Sequence, residues 1–132
     1  MCTISFFQEA TDLKFHHISI RVTDFEKSLH FYTTLTGLQV VHQFEAGGGH
    51  VAYLQNGEGE TEVELIAMPQ GQTFEGKGMF LCFATDDLEA AHAVAAAEGM
   101  NPSDIRQPEP AAKYFYVYDP DGVSVQLREY RE

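Results

Sequence analysis

Short runs in which apolar and polar residues alternate are followed by a segment with helical spacing. Residues 17–22 read His-Ile-Ser-Ile-Arg-Val, and alternation of period two is typical of a half-buried strand. The next apolar residues recur at the spacing of one helix face, at Phe25, Leu29, Tyr32 and Leu35. Asp24 precedes this stripe and Gly37 follows it, so the pattern predicts a helix capped at both ends.

The same order of elements occurs twice along the chain. Asp24 aligns with Asp87 at a shift of 63 residues, and Val63-Glu-Leu aligns with Val125-Gln-Leu at a shift of 62. A one-residue deletion in the second helix reconciles the two shifts, and glycine-rich turns separate the remaining strands. We therefore expect an α+β fold with one domain over residues 1–132. It consists of two tandem βαβββ modules, 15–76 and 77–132, that form a concave mixed sheet backed by helices.

Strand alternation predicts which side chains face away from the helices. In the first strand Ile18 and Ile20 pack on the helix, which leaves His17, Ser19 and Arg21 on the opposite, open face. The same reasoning gives the other open-face residues as Glu62, Glu64, Ile66, Phe80, Cys82, Ala84, Ser124, Gln126 and Arg128. Both modules are thus expected to present a polar concave wall.

Aromatic residues and the remaining histidines add further candidates. Tyr114, Tyr116 and Tyr118 alternate on one strand, where they would form either flat walls for a planar ligand or a cross-strand aromatic ladder. His16 has the same parity as Ile18 and is expected in the core or at a sheet edge. His50 follows a glycine run on an outer strand and is expected at the surface, from which its side chain could reach the concave face.

Composition excludes several partners. Twenty Asp and Glu against eight Lys and Arg give a net charge of −12, which opposes binding to a phosphate backbone, so no nucleic acid is expected. No apolar run approaches the roughly 18 residues of a membrane span, and the first thirteen residues lack the Lys or Arg of a signal peptide. We therefore expect a cytoplasmic protein with no membrane partner. Its cysteines, Cys2 and Cys82, are expected to be reduced, with Cys82 filling the core.

Two stretches of the chain resemble the vicinal oxygen chelate superfamily. One is Phe15-His-His-Ile-Ser-Ile-Arg-Val-Thr-Asp-Phe-Glu-Lys-Ser-Leu-His-Phe-Tyr32 with the following Leu-Thr-Gly-Leu38, and the other is Tyr114-Phe-Tyr-Val-Tyr-Asp-Pro-Asp-Gly-Val-Ser-Val-Gln-Leu127. That superfamily includes glyoxalase I, fosfomycin and bleomycin resistance proteins, methylmalonyl-CoA epimerase and extradiol dioxygenases. The resemblance implies the glyoxalase/bleomycin resistance/dioxygenase fold, a cup for a small molecule, and a homodimer in which strands from two chains complete each cup.

The resemblance also implies four positions for a divalent metal ion. Metal-dependent members of the superfamily use one side chain from the first and last strands of each module, and these positions align with His17, Glu64, Phe80 and Gln126. The internal repeat likewise places Phe80 where the first module has His17, and a phenyl ring cannot donate a lone pair. His17, Glu64 and Gln126 would form an open site, so we expect either no cofactor or a weakly bound Ni²⁺, Zn²⁺ or Mn²⁺.

Two functions follow from these positions. The first is binding of a small organic ligand in a cup with an incomplete metal site, by Ser19, Arg21, Phe80, Tyr116, Gln126 and Arg128. The alternative is a metal-dependent lyase or isomerase of the glyoxalase I type, in which Glu64 acts as the catalytic base. In that case Arg21 matches an arginine that contacts the glutathione carboxylate in glyoxalases. The sequence leaves open whether the protein is an enzyme, and also whether Glu64 pairs with His17 or with Arg21.

Overall fold

The computed structural model describes residues 15–57, 60–69 and 78–130. The elements in chain order are β1 His17–Arg21, α1 Phe25–Thr36, β2 Gln39–Ala46, β3 Gly49–Gln55, β4 Glu62–Ala67, β5 Phe80–Ala84, α2 Leu88–Ala97, β6 Arg106–Glu109, β7 Ala112–Tyr118 and β8 Ser124–Tyr130. The predicted boundary between the modules, at residues 76 and 77, lies outside the described residues.

The strands form two sheets with the same topology. Their orders are β1-β4-β3-β2 and β5-β8-β7-β6, and in each sheet the first and last strands of the module pair in parallel. The register repeats as well, because Ser19 lies opposite Glu64 and Cys82 lies opposite Gln126. The predicted α+β fold of two βαβββ modules is confirmed, and the internal repeat extends to individual residue positions.

Both helices begin at the predicted aspartates. The Asp24 carboxylate accepts a hydrogen bond from the backbone N–H of Lys27 at 3.1 Å, and Asp87 accepts one from Ala90 at 3.0 Å. These bonds satisfy backbone donors that the first helical turn leaves without partners. Gly37 ends α1 with a φ of 74°, a left-handed conformation that glycine adopts without a steric penalty.

One apolar core joins the two modules. Helix α1 buries Phe25, Ser28, Phe31, Tyr32 and Leu35, whereas the alanine-rich α2 buries only Leu88 and Ala95. A single cluster contains buried residues of both helices and both sheets, including Leu54, Leu65, Phe115 and Val125. The helices thus cover one face of each sheet, and the other face is left for the site. None of the helices in the described ranges is long and apolar enough to cross a membrane.

The Asp-Pro-Asp-Gly turn between β7 and β8 fastens the second module to α1. The Tyr32 hydroxyl donates to Asp119 at 2.7 Å, and the Thr23 hydroxyl donates to Asp121 at 2.6 Å. The second Asp119 oxygen accepts backbone hydrogen bonds from Asp121 and Val123. Burial raises the pKa of both Tyr32 and Asp119, because removal from water disfavours their charged forms. The turn motif therefore has a structural role between modules.

Candidate functional site

The open face of the first sheet holds a cluster of four polar side chains, which we call the first half-site: His17, Ser19, Tyr53 and Glu64. Glu64 is only 7% exposed and accepts a hydrogen bond from the Ser19 hydroxyl. His17 Nε2 lies 3.5 Å from Glu64 Oε1, and the His17 ring stands edge-on to Tyr53. A hydrogen bond with Glu64 raises the pKa of the Tyr53 phenol, because the carboxylate favours the protonated form. The predicted pairing of His17 with Glu64 is thus present.

Tyr53 is a member of this cluster that the sequence reasoning missed. It lies directly opposite Glu64 in the β3–β4 register. Alternation along β3 indicates that Tyr53 lies on the open face, since Ala52 and Leu54 on either side of it are buried and Tyr53 is less buried. Residue alternation gives the face, but the β3–β4 pairing is needed to place the phenol beside a particular carboxylate.

Two further histidines lie near this cluster. His16 is exposed and lies at the sheet edge, one of the two placements predicted for it: its carbonyl accepts a backbone hydrogen bond from Glu62, beside the edge strand β1. The His16 Nδ1 atom lies 2.7 Å from Nδ1 of His17, so one imidazole donates to the other. His50 is at the surface, as predicted, but its ring stacks on Phe25 of α1 and pairs with Glu45, so it lies on the helix side of the sheet and does not reach the concave face.

Arg21 lies at the end of β1, opposite Ile66 in the register, and its side chain is exposed. This position agrees with the predicted open face. Among the described residues, Glu64 forms an ion pair with His17, and the alternative ion pair between Glu64 and Arg21 is absent.

The open face of the second sheet holds what we call the second half-site: Phe80, Cys82, Tyr116, Gln126 and Arg128. Gln126 is 4% exposed, donates through Nε2 to the Tyr116 hydroxyl at 2.8 Å, and accepts through Oε1 from Cys82 at 3.1 Å. Phe80 is 46% exposed and stands edge-on to Tyr116, with ring centroids 5.5 Å apart. Both ends of the Gln126 amide are therefore engaged by side chains of its own sheet.

Cys82 is exposed, so the prediction that it fills the core was wrong. The neighbours of Cys82 along the chain are apolar, but its side chain lies on the same face of the sheet as Phe80 and Gln126. Leu81, between Phe80 and Cys82, is buried on the opposite face. Alternation within the strand decides the face of a residue more reliably than the hydrophobicity of its neighbours does.

The three tyrosines of β7 divide between the two roles considered for them. Tyr114 and Tyr116 contact each other edge to face at 5.7 Å, and the guanidinium carbon of Arg128 lies 5.5 Å from the centre of the Tyr114 ring. Tyr118 lies beyond these contacts and is 69% exposed. The first two form an aromatic ladder, and the third presents a free ring surface.

The donors of the two half-sites do not fit a complete metal centre. The register places Phe80 and Gln126 at the positions that His17 and Glu64 occupy in the first sheet. Among the residues that the structure describes, no three His, Cys, Asp or Glu side chains converge as ligands would. His17 and Glu64 converge, but the amide of Gln126 is held by Tyr116 and Cys82. A metal ion would have two strong ligands and a third that must first break its hydrogen bonds.

The two sheets do not share hydrogen bonds between their described strands. β1 and β5, which carry His17 and Phe80, each lie at an edge of their sheet. The half-sites are thus built on separate frameworks that share a core through the helices.

Comparison with known proteins identifies the fold. The model of the Glyoxalase/Bleomycin resistance protein/Dioxygenase superfamily matches residues 14–127. A curated relative, the uncharacterized protein YwkD of Bacillus subtilis (strain 168), is 30% identical over 122 residues, which cover 86% of this chain and 94% of YwkD.

Solved structures agree with that match. TnmS3, an antibiotic binding protein from Streptomyces sp. CB03234, superposes with a TM-score of 0.74 at 22% identity, covering 94% of this chain and 100% of TnmS3. The trypanothione-dependent glyoxalase I of Leishmania major superposes with a TM-score of 0.73 at 20% identity, covering 89% of this chain and 87% of that enzyme. At these identities the likeness establishes the fold alone.

Proposed function

The chain belongs to the Glyoxalase/Bleomycin resistance protein/Dioxygenase superfamily, as the resemblance to vicinal oxygen chelate proteins predicted, and we propose that it binds a small organic ligand. The ligand lies between the two half-sites, in a cup whose metal site is incomplete. Ser19, Arg21, Phe80, Tyr116, Gln126 and Arg128 contact it in this proposal. The whole chain, residues 1–132, acts as one domain made of the two modules.

The main support for the proposal is that the second sheet has an aromatic ring and an amide where the first sheet has two potential metal ligands. At equivalent register positions the first sheet has His17 and Glu64, and the second has Phe80 and Gln126. The Phe80 and Tyr116 rings form an apolar wall, and the buried amide of Gln126 fixes the Tyr116 hydroxyl. Apolar walls with a few oriented polar groups are the usual lining of small-molecule pockets.

We further propose that the cup is completed in a homodimer, by the first half-site of one protomer and the second half-site of its partner. The separate hydrogen bonding of the two sheets and the edge positions of β1 and β5 support this arrangement. Sedimentation equilibrium at micromolar concentration is expected to give twice the chain mass, and a monomer would contradict it.

A metal-dependent lyase of the glyoxalase I type is the second candidate. It is favoured by the distance of 3.5 Å between His17 Nε2 and Glu64 Oε1, which brings a base and a potential ligand together. Glu64 would be the base, and His17, Glu64 and Gln126 would hold Ni²⁺, Zn²⁺ or Mn²⁺ weakly. Phe80 and the hydrogen-bonded Gln126 amide oppose this candidate, so we place it second.

Thermal unfolding with a panel of planar aromatic compounds, in the presence and absence of a chelator, tests the proposal. A ligand present at about 100 times its Kd stabilises a fold by about 2.7 kcal/mol. We expect at least one compound to raise the melting temperature equally with and without chelator. Phe80→Ala should reduce this shift, whereas Val94→Ala, which truncates an exposed apolar residue of α2, should preserve it. A protein that responds only to divalent metal, and loses that response with chelator, would support the lyase instead.

A further inference from the structure

Basic side chains are concentrated on the open faces of this acidic chain. The described residues include five Lys and Arg, and three of them, Arg21, Arg106 and Arg128, belong to the open faces. Lys113, by contrast, pairs with Glu89 of α2 on the helix side. The net charge of the chain is −12, so a local cluster of arginines differs in sign from the molecule as a whole. Such a cluster favours the binding of anions at that place.

Two of these arginines flank one tyrosine of the second sheet. In the register Arg106 of β6 and Arg128 of β8 both lie opposite Tyr114 of β7, one on each side. Residues directly opposite each other in antiparallel strands share a face, so the three side chains form a row across the sheet. The open-face positions described for β5, β7 and β8 contain no acidic residue, so the described side chains on this face of the three strands are neutral or positively charged.

A cavity of about 660 Å³ lies beside this row. Arg106, Tyr116, Tyr118 and Ser124 line it from the sheet or its edges, and Asp104 lines it from the segment between α2 and β6. Its volume lies within the range of about 300–1,000 Å³ that is typical of small-molecule pockets. One cation and one anion line the cavity, with Arg128 close by in the row.

The aromatic wall of this cavity is held in place before a ligand binds. Tyr116 donates its backbone N–H to the Ser103 hydroxyl at 2.9 Å and accepts a backbone hydrogen bond from Ser103 at 2.9 Å. Its own hydroxyl accepts from Gln126. Tyr118, next on the same face, exposes 69% of its surface and offers a ring on which a planar molecule can stack.

We infer that this cavity, which shares Tyr116 with the second half-site, binds a planar aromatic anion, with its ring against Tyr116 and Tyr118 and its acid group at Arg106. This inference rests on the proposed function and names the ligand class at the side of the cup that Tyr116 lines. A guanidinium binds a carboxylate through two parallel hydrogen bonds, and Arg128 adds positive potential from the far side of Tyr114. Asp104 disfavours a second acid group on the ligand, so a monoanion is the preferred class.

Titration of the full chain with 1-naphthoate, followed by the fluorescence of the probe, tests this inference. The chain contains no tryptophan, so the signal of the naphthalene ring is not obscured. The neutral 1-naphthalenemethanol and the cationic 1-naphthylmethylamine serve as comparisons that keep the naphthalene ring and change only the charge of the substituent group. We expect naphthoate to bind most tightly, by about tenfold over the alcohol, because a hydrogen bond to a charged acceptor is roughly twice as strong as one between neutral groups.

Two variants separate charge recognition from stacking. Arg106→Gln should remove the preference for naphthoate while leaving the affinity for the alcohol unchanged, and Tyr118→Ala should weaken both. Lys113→Gln removes a positive charge on the helix side of the same sheet and should change neither.

Equal or tighter binding of the amine, no binding of naphthoate, or an unchanged preference in Arg106→Gln would overturn the inference. If one of these results is found but other compounds of the thermal panel still stabilise the protein, the proposed ligand-binding function stands and only the preference for an aromatic anion fails. If no compound stabilises the protein, the proposed function and this inference both fail.

Discussion

A carboxylate and an amide at equivalent positions have different partners in the two half-sites. Glu64 accepts a hydrogen bond from Ser19 and lies near His17. Gln126 uses its amide both to donate, to Tyr116, and to accept, from Cys82. The identity of this one residue therefore decides whether the half-site contains a carboxylate beside an imidazole or an amide beside aromatic rings.

The charge on Glu64 predicts how the neighbouring phenol titrates. Because the hydrogen bond with Glu64 raises the pKa of Tyr53, Glu64→Gln should lower that pKa toward its ordinary value of 10.0. A titration of ¹³C-labelled tyrosine by NMR measures it, with Glu60→Gln, an exposed residue outside β4, as the control. A Tyr53 pKa that stays the same in Glu64→Gln would show that the carboxylate does not control the phenol.

Asp119 predicts a pH dependence of stability with a definite sign. Burial raises its folded-state pKa above the ordinary value of 3.8, so on raising the pH the unfolded chain releases this proton first. The contribution of Asp119 to the free energy of unfolding therefore falls as the pH rises from 3.8 to the folded-state pKa, and is constant above it.

Urea denaturation of the wild type and of Asp119→Asn across this pH range measures the effect. The free energy of unfolding of Asp119→Asn, relative to that of the wild type, should increase as the pH rises through this range. The Tyr32 hydroxyl stabilises the buried carboxylate of Asp119, so Tyr32→Phe should raise the folded-state pKa of Asp119 and extend the pH-dependent range to higher pH. It should also lower the free energy of unfolding by about 1–3 kcal/mol. A difference that is independent of pH would contradict the assignment.

At the scale of elements, the two helices depend on local and tertiary contacts to different extents. Helix α1 buries a broad face that includes Phe25, Phe31 and Tyr32, whereas α2 is mostly alanine and buries Leu88 and Ala95. Intrinsic helix propensity and capping are therefore a larger share of the stability of α2.

Removal of the α2 cap is expected to destabilise the protein measurably. Asp87→Ala leaves the backbone N–H of Ala90 without its acceptor and should lower the free energy of unfolding by about 1 kcal/mol. Asp86→Ala, one residue earlier and outside the cap, is the matched control for loss of negative charge. Equal effects of the two substitutions in urea denaturation would mean that charge, and not capping, is responsible.

The elements and their faces could be predicted from the sequence because their signals are local. Asp24, Asp87 and Gly37 mark helix ends within a few residues, and alternation assigned the open faces of β1, β4, β5 and β8 correctly. The choice between core and edge for His16, the face on which the His50 ring lies and the missed Tyr53 depend on where a strand starts and which strand it pairs with. That information lies in contacts between residues distant along the chain.

At the scale of the whole molecule, the repeated module explains why one framework holds two different sets of open-face residues. The β1–β4 and β5–β8 pairs have the same register, so each position of one pair has a counterpart in the other. Phe80 and Gln126 stand where the first module has His17 and Glu64, which changes the chemistry of the open face without changing the framework. The α1 contacts to the Asp119 turn keep the modules in one core while their open faces differ.

Calorimetric titration of Ni²⁺ into the chelator-treated protein shows whether the two half-sites form a complete metal site. A Phe80→His/Gln126→Glu variant, which places the corresponding residues of the first module at both positions, is the positive control. We expect saturable binding by the variant at one ion per cup, and no such binding by the wild type at micromolar concentration. Stoichiometric, tight binding by the wild type that is lost in His17→Ala would contradict it.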